Sequence, residues 1–343
     1  MWRNWHISLL FILCVVCIAP LAHAQFSAVP DPLQYIVAPE NPGPNQTVYI
    51  QIQGVGPFLG NATITWQING KVAQSGVGLT SLAVPTGPIG TATTVHVSID
   101  SPQGFYTHDF IFSPSTVNLL WEADTSTPSF SENKPLYSAG SKVRVIAFPT
   151  VMSGRTQLSS GQLSFQWKRN DTLDTGASGL GKNVFTFTGD SLQSGEQVSV
   201  DVYYKNNKVA GGEIIIPATD PQVLLYAQDP LRGELLDQAI LNPFTLTASE
   251  ITLRAEPYYF ANSSVRKGSI TYTWSLNDEQ ISSPDPRPGF LTLRQTGSGA
   301  GAASVGISVQ NADSDKFVQF AQSVMTIVFG QTNKNSFGSF FGL

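Results

Sequence analysis

The chain has 343 residues, of which 13% are charged, with 19 Lys and Arg against 24 Asp and Glu and a formal net charge of −5. So sparse and acidic a surface is a poor match for a phosphate backbone, which counts against nucleic-acid binding. Its two cysteines, Cys14 and Cys17, both fall near the N-terminus.

Arg3 gives a positive start, Ile7 to Ala19 is almost wholly apolar, and Pro20 breaks the run. Ala22-His23-Ala24 then forms an A-x-A cleavage site before Gln25. The pattern predicts an export signal over residues 1–24. Two alternatives stand beside it. An uncleaved anchor is disfavoured because the run falls short of the ~18 residues a spanning helix needs. A lipoprotein is disfavoured because Val16 precedes Cys17 where a small residue is usual. Cleavage would leave no Cys and a balance of 18 basic against 24 acidic side chains, a net of −6. It would also leave no disulfide, thiolate nucleophile or Cys-ligated metal. Export without disulfides fits a bacterial envelope protein that relies on packing. No later segment is apolar for long enough to span a membrane, so the cleaved chain is expected to be soluble or held by partners.

Downstream, one pattern occurs three times. Leu33–Val37, Val117–Trp121 and Val223–Tyr226 read as opening strands, each followed by an acidic or Pro-rich loop. Thr47–Ile52, Lys142–Ile146 and Glu250–Arg254 read as second strands. Next come Ala62–Asn69, Leu163–Asn170 and Ile270–Asn277, alternating strands centred on Trp66, Trp167 and Trp274 and ending in an Asn-Gly or Asn-Asp turn. Both positions of such a turn tolerate positive φ, so each marks a hairpin. Ile64, Trp66 and Ile68 lie on one face, as do Phe165 with Trp167 and Tyr272 with Trp274 and Leu276, which assigns the three Trp to structural cores. Late strands begin at Val95, Val198 and Val305, 29, 31 and 31 residues after their Trp. The Trp-to-Trp separations of 101 and 107 residues equal about one β-sandwich each. The expected division is a signal peptide (1–24), three modules (25–114, 115–217 and 218–330) and a flexible tail (331–343). A short helix of about two turns is expected over Glu234–Leu241.

Two segments interrupt the repeat, Thr125–Ser141 and its counterpart Leu235–Ser249. Each is either functional or padding for a sheet edge or module interface. The tail carries Phe337, Phe340 and Phe341 in a Gly-, Asn- and Ser-rich setting, and these rings are candidates for docking on a partner. In Pro257-Tyr258-Tyr259-Phe260, adjacent side chains point to opposite faces, so at least one ring is expected to be exposed for a glycan or partner. The alternative is that Tyr258, Tyr259 and Phe260 pack against the neighbouring module.

Catalytic and ligand-binding motifs are thin. Gly176–Asn183 approximates a phosphate-binding loop, but Asn183 replaces the hydroxyl residue and a β run follows where a helix must start. The related Ser75-Gly-Val-Gly78 points instead to a turn between strands. His96 and His108 are the histidines left after cleavage. His108 beside Asp109 invites a dyad reading, against which stands a plain surface contact. No G-x-S-x-G or H-E-x-x-H motif occurs. Glu122 with Asp124, and Asp313 with Asp315, are close in sequence and could serve as acid and base or as weak Ca²⁺ ligands, the better Ca²⁺ candidate being Asn311–Asp315. Asn-x-Ser/Thr sequons at Asn45, Asn61, Asn170 and Asn262 arise readily by chance in a Thr- and Asn-rich β protein. No catalytic residue, cofactor or metal site is assigned.

The Trp strand, Asn turn and Gly-rich loop resemble bacterial immunoglobulin-like modules, including the PKD-like type, over most of the chain after residue 24. Asn-Gly or Asn-Asp stands where the PKD type has Asp-Gly. The phrases Leu120-Trp-Glu-Ala-Asp124, Ser178-Gly-Leu-Gly-Lys-Asn183 and Ala255-Glu-Pro-Tyr-Tyr-Phe260 resemble those of uncharacterised exported proteins of candidate-phylum (Patescibacteria) bacteria. The resemblance implies a link to type IV pilus or secretion functions. The expectation is an all-β chain of three tandem immunoglobulin-like β-sandwiches. The leading functional reading is a non-enzymatic envelope or cell-surface protein binding other proteins, pilus components among them. A carbohydrate-binding or adhesive protein is the alternative, and a hydrolase using unplaced carboxylates stands third.

Overall fold

A computed structural model describes residues 33–330 apart from 55–57, 133, 191–193, 230 and 312–317. The predicted signal and tail, Asp313 and Asp315 therefore lie outside the described residues. The chain is almost wholly β. The first module contains β1 (Leu33–Ala38), β2 (Thr47–Gly54), β3 (Thr63–Ile68), β4 (Lys71–Val77), β5 (Ser81–Pro85), β6 (Thr93–Ser101) and β7 (Gly104–Phe112). The second contains β8 (Thr116–Asp124), β9 (Lys142–Thr150), β10 (Met152–Ser153), β11 (Thr156–Gln157), β12 (Ser164–Arg169), β13 (Thr172–Leu180), β14 (Val184–Thr188), β15 (Gly195–Tyr204) and β16 (Asn207–Pro217). The third contains β17 (Gln222–Asp229), β18 (Gly233–Leu235), β19 (Phe244–Thr245), β20 (Glu250–Tyr258), β21 (Ile270–Leu276), β22 (Glu279–Ile281), β23 (Phe290–Arg294), β24 (Gly301–Asn311) and β25 (Phe320–Phe329).

Each module is built on two main sheets around one core, and the second also carries the two-stranded β10-β11 ribbon. The orders are β1-β2-β5 with β4-β3-β6-β7, then β14-β9-β8 with β13-β12-β15-β16, then β18-β17-β20-β23 with β19-β25-β24-β21-β22. In all three modules the strand after the Trp strand stays in the Trp sheet. The constant-type immunoglobulin arrangement instead places its fourth strand on the opposite sheet. Alternation explains the layering, because the inward residues of β6 (Val95, Val97, Ile99), β15 (Val198, Val200, Val202) and β24 (Val305, Ile307, Val309) are all buried. Trp66, Trp167 and Trp274 are 0%, 0% and 3% exposed and each lies within its module's core.

The Asn turns do more than reverse the chain. Asn69, Asn170 and Asn277 adopt φ of 49°, 48° and 49°, the left-handed region that Asn tolerates better than most residues. Each then clamps the late strand. Their side-chain carbonyls accept the N–H groups of Thr94 (2.9 Å), Gln197 (3.0 Å) and Ser304 (2.9 Å). Their own N–H groups donate to the carbonyls of those same three residues at 2.8, 2.9 and 2.7 Å.

The helix expected over Glu234–Leu241 does not form. Gly233–Leu235 instead pairs with β17, and Glu234 is drawn into an ion pair with Arg254. Among the described residues, the α-helices are α1 (Phe58–Asn61) and α2 (Asn262–Arg266), beside one 3-10 turn at Ser160–Gln162.

Candidate functional site

The long segment between β8 and β9 is built into the structure. Tyr137 is fully buried in the second core and packs so closely on Gly189 that no Cβ fits there. Its hydroxyl donates to Glu196 (3.2 Å). Glu196 is itself fully buried and accepts from Arg169 Nε (2.8 Å), Arg169 Nη2 (2.7 Å), Asn170 Nδ2 (2.9 Å) and the Asp190 N–H (3.0 Å). Burial is the largest single influence on Glu196 and opposes its charge, but the hydrogen bonds from Arg169, Asp190 and Asn170, with the Arg169 charge, together outweigh it. The carboxyl is held below its ordinary value. The same burial, with Glu196 beside it, pushes the Tyr137 hydroxyl well above its usual range. No motif marks Glu196 in the sequence, but it shares the inward parity of Val198, Val200 and Val202.

The same segment seals the seam between the second and third modules. Ser126 makes two backbone hydrogen bonds across it: its N–H donates to the Phe260 carbonyl and its carbonyl accepts from the Tyr259 N–H, both at 2.7 Å. Ser138 Oγ donates to the Tyr259 carbonyl at 2.5 Å. Gln319 Nε2 donates to Ser138 Oγ (2.8 Å) and the Ala139 carbonyl (3.0 Å), while its Oε1 accepts from the Ala261 N–H (2.7 Å). Asn262 Nδ2 reaches Asp124 (2.9 Å) and the Thr125 carbonyl (3.1 Å). Around this lattice Tyr226, Tyr258 and Tyr259 form a buried cluster with Phe130 and Leu136 packed on it, and Phe130 meets Tyr226 edge-on at 5.2 Å.

This corrects the expectation that one ring of the 258–260 run is exposed. Tyr258, Tyr259 and Phe260 are 4%, 8% and 0% exposed. The strict alternation fails because Tyr259 has φ of +64°, and the long segment of the second module covers what the strand end would have shown. The rings are therefore seam and core groups, not a platform for a sugar. Phe337, Phe340 and Phe341 lie outside the described residues.

Other candidates resolve into local contacts. Asp109 pairs with His96 across β6 and β7 at 2.6 Å, while its sequence neighbour His108 stacks on Tyr35 at 4.2 Å, so the dyad suggested by adjacency does not exist. Glu122 pairs with Arg144 and Asp124 with Asn262, so these two do not act as a couple. Lys182 Nζ donates to the Gly176 carbonyl within β13 at 2.7 Å, and the Gly-rich stretch is a strand and turn. Asn311 Oδ1 accepts from the Gln319 N–H. No group of three or more His, Cys, Asp or Glu side chains that could hold a metal is found among the described residues. Of the sequon residues, Asn170 and Asn262 are committed to the hydrogen bonds above.

Two features remain open. On the outer face of the second module's three-stranded sheet, Leu120 pairs with Ile146 and Ile146 with Val184. Leu120, Phe148 and Val184 are 61%, 48% and 41% exposed. These side chains form an apolar row across three strands. The other feature is in the third module. Trp66 Nε1 donates to the Leu79 carbonyl and Trp167 Nε1 to the Lys182 carbonyl, both at 2.8 Å, but the buried Trp274 Nε1 has no partner. An unmatched buried donor costs about 1–3 kcal/mol.

No family model matches the chain, and no curated protein matches it. The solved structures that match include the three N-terminal domains of the bacteriophage RB49 Highly Immunogenic Outer Capsid protein, at 13% identity over 88% of this chain and 98% of that one, TM-score 0.27. They also include the central fibronectin-III array of RIM-binding protein (13%, 87% and 96%, TM-score 0.30) and immunoglobulin domains 1–4 of Sidekick-1 (11%, 87% and 75%, TM-score 0.20). At these values the assignment rests on strand order and register. The chain is a tandem array of immunoglobulin-like β-sandwich modules.

Proposed function

We propose that this chain is a non-enzymatic, exported envelope or cell-surface protein whose modules bind other proteins. Its three units would span residues 25–114, 115–217 and 218–330, and its partner assembly would be a pilus or secretion apparatus. The observation that carries the reading is the apolar row of Leu120, Ile146 and Val184 with Phe148 beside it. Water penalises a contiguous apolar strip, and such strips on folded modules mark protein contacts. Glu122 and Arg144 flank the row as an exposed ion pair and would set orientation at its rim. The seam supports the reading in a second way, because modules fixed to each other present their faces in a defined arrangement.

The test is an internally tagged chain in the native host, with sheared filaments, washed envelopes and medium compared. Recovery with filaments, lost in a Leu120→Asp, Phe148→Asp variant that still folds, is the expected result. Recovery of both forms as monomers in the medium, without crosslinked partners, would refute it.

A further inference from the structure

The third module lacks a piece that its siblings have. The Trp strands of the first two modules are flanked along their whole length, β3 by β4 and β6, and β12 by β13 and β15. β21 pairs with β24 over all seven residues, but with β22 only from Trp274 to Leu276. The reason lies in the sequence. After Ile281 the chain reads Ser-Ser-Pro284-Asp-Pro286-Arg-Pro288-Gly, and proline has no N–H to give a ladder.

Three defects follow from this one interruption. Among the described residues, Ile270–Thr273 have no strand on their outer edge. Tyr272 is half-buried, whereas Ile64 and Phe165, at the same register two residues before their Trp, are fully buried. The indole N–H of Trp274 has no acceptor. A groove of about 430 Å³ runs along this edge, lined by Tyr272, Trp274, Ile281, Ser283 and Phe290 among others. A single extended strand would complete the ladder, cover Tyr272 and offer Trp274 a carbonyl.

We propose that this groove is a strand-docking site and that its occupant is the segment Gln331–Leu343 of a second copy of the chain. The siblings show what fits. Their covering strands end in Ser75-Gly-Val-Gly-Leu79 and Ser178-Gly-Leu-Gly-Lys182, small residues alternating with apolar ones, and the last carbonyl of each takes the Trp N–H. Ser336-Phe-Gly-Ser-Phe-Phe-Gly-Leu343 has the same make-up.

Reach favours a second copy over the same one. Register places Phe329 seven rows beyond Thr273 and three strand positions across, roughly 27 Å in a straight line. The path must also round the hairpin at Asn277-Asp278. Thirteen residues extend to roughly 43 Å at most, which leaves about three for pairing within one chain. A segment from another copy carries no such constraint and can pair along the whole edge. The site is separate from the apolar row of the second module, so substitutions on that row leave it untouched.

Hydrogen exchange at Ile270–Trp274 tests the assignment. The full chain is compared, over a range of concentrations, with a chain truncated after Gly330. The expected result is at least ~10-fold slower exchange of the edge-facing amides in the full chain. The slowing should fade on dilution together with the oligomer seen by sedimentation, and the synthetic peptide Gln331–Leu343 should restore it to the truncated chain. Phe337→Ser, Phe340→Ser and Phe341→Ser, at positions beyond the last described strand in sequence, should abolish both self-association and protection. Equal exchange in the two chains at every concentration would overturn the proposal. So would protection that persists in the full-length monomer, since the segment would then serve its own chain.

Discussion

Replacing Glu196 by Gln is an almost isosteric change with a large expected cost. The carboxylate accepts five hydrogen bonds, three on Oε1 (Arg169 Nη2, Asp190 N–H, Tyr137 hydroxyl) and two on Oε2 (Arg169 Nε, Asn170 Nδ2). A carboxamide has one acceptor oxygen. Even in its better orientation, two donors then face an NH₂ group, and Arg169 keeps its charge without a counter-ion. Two unmatched donors at about 1–3 kcal/mol each, or one broken buried pair at about 3–5 kcal/mol, give the same range. A loss of about 3 kcal/mol in a module of this size lowers its midpoint by roughly 12–24 °C. Calorimetry on the full chain should show one transition, that of the second module, moving down.

The acid limb checks the same group. The folded-state pKa of Glu196 is lowered, so its contribution is fully present above the carboxylate's ordinary value of about 4.3. That contribution is lost as pH falls through the lower folded value. Glu196→Gln should therefore flatten the stability loss below about pH 4 that the parent shows. A midpoint change under about 4 °C, or an unchanged acid limb, would refute the reasoning.

Other outcomes can be measured alongside. Gln319→Ala removes two hydrogen bonds that cross the seam, to Ser138 and Ala139, and one within the third module, from Ala261. It should weaken docking of the third module by about 1–3 kcal/mol, read as a wider gap between its melting transition and that of the second. Asn277→Ala removes the acceptor for the Ser304 N–H and puts Ala at positive φ, for a loss of about 1–2 kcal/mol in urea titration. Leu246→Phe should raise the stability of the third module by about 0.5–2 kcal/mol. Leu246, Leu293, Val305 and Phe329 line an end cavity of about 420 Å³, at the end of the sandwich that Tyr137 fills in the second module.

The strands that alternate cleanly were legible, since Trp66, Trp167 and Trp274 with their inward neighbours announce one buried face each. The Asn turns were legible as hairpins, but their second task was not. The Thr94, Gln197 and Ser304 amides that they clamp lie 25 to 27 residues away in sequence. For Tyr258–Phe260 the packing reading holds and the exposed-ring reading fails, but a strand-end pattern cannot say what does the covering, because Ser126, Leu136 and Ser138 come from more than 100 residues earlier. The dyad reading of His108 fails because adjacency in a strand separates side chains, while Asp109 meets His96 across the ladder. The open edge of β21 could have been found from Pro284, Pro286 and Pro288, at the place where the siblings carry their Ser-Gly returns.

Tyr137 and Ser138 are consecutive, yet one is anchored in the core of the second module and the other in its seam with the third. Tension applied to the third module would therefore reach Tyr137 through a single peptide unit. Rupture of the seam and loosening of the second core would then be one mechanical event, and a pulled chain should give one shared force peak for these two modules and a separate one for the first.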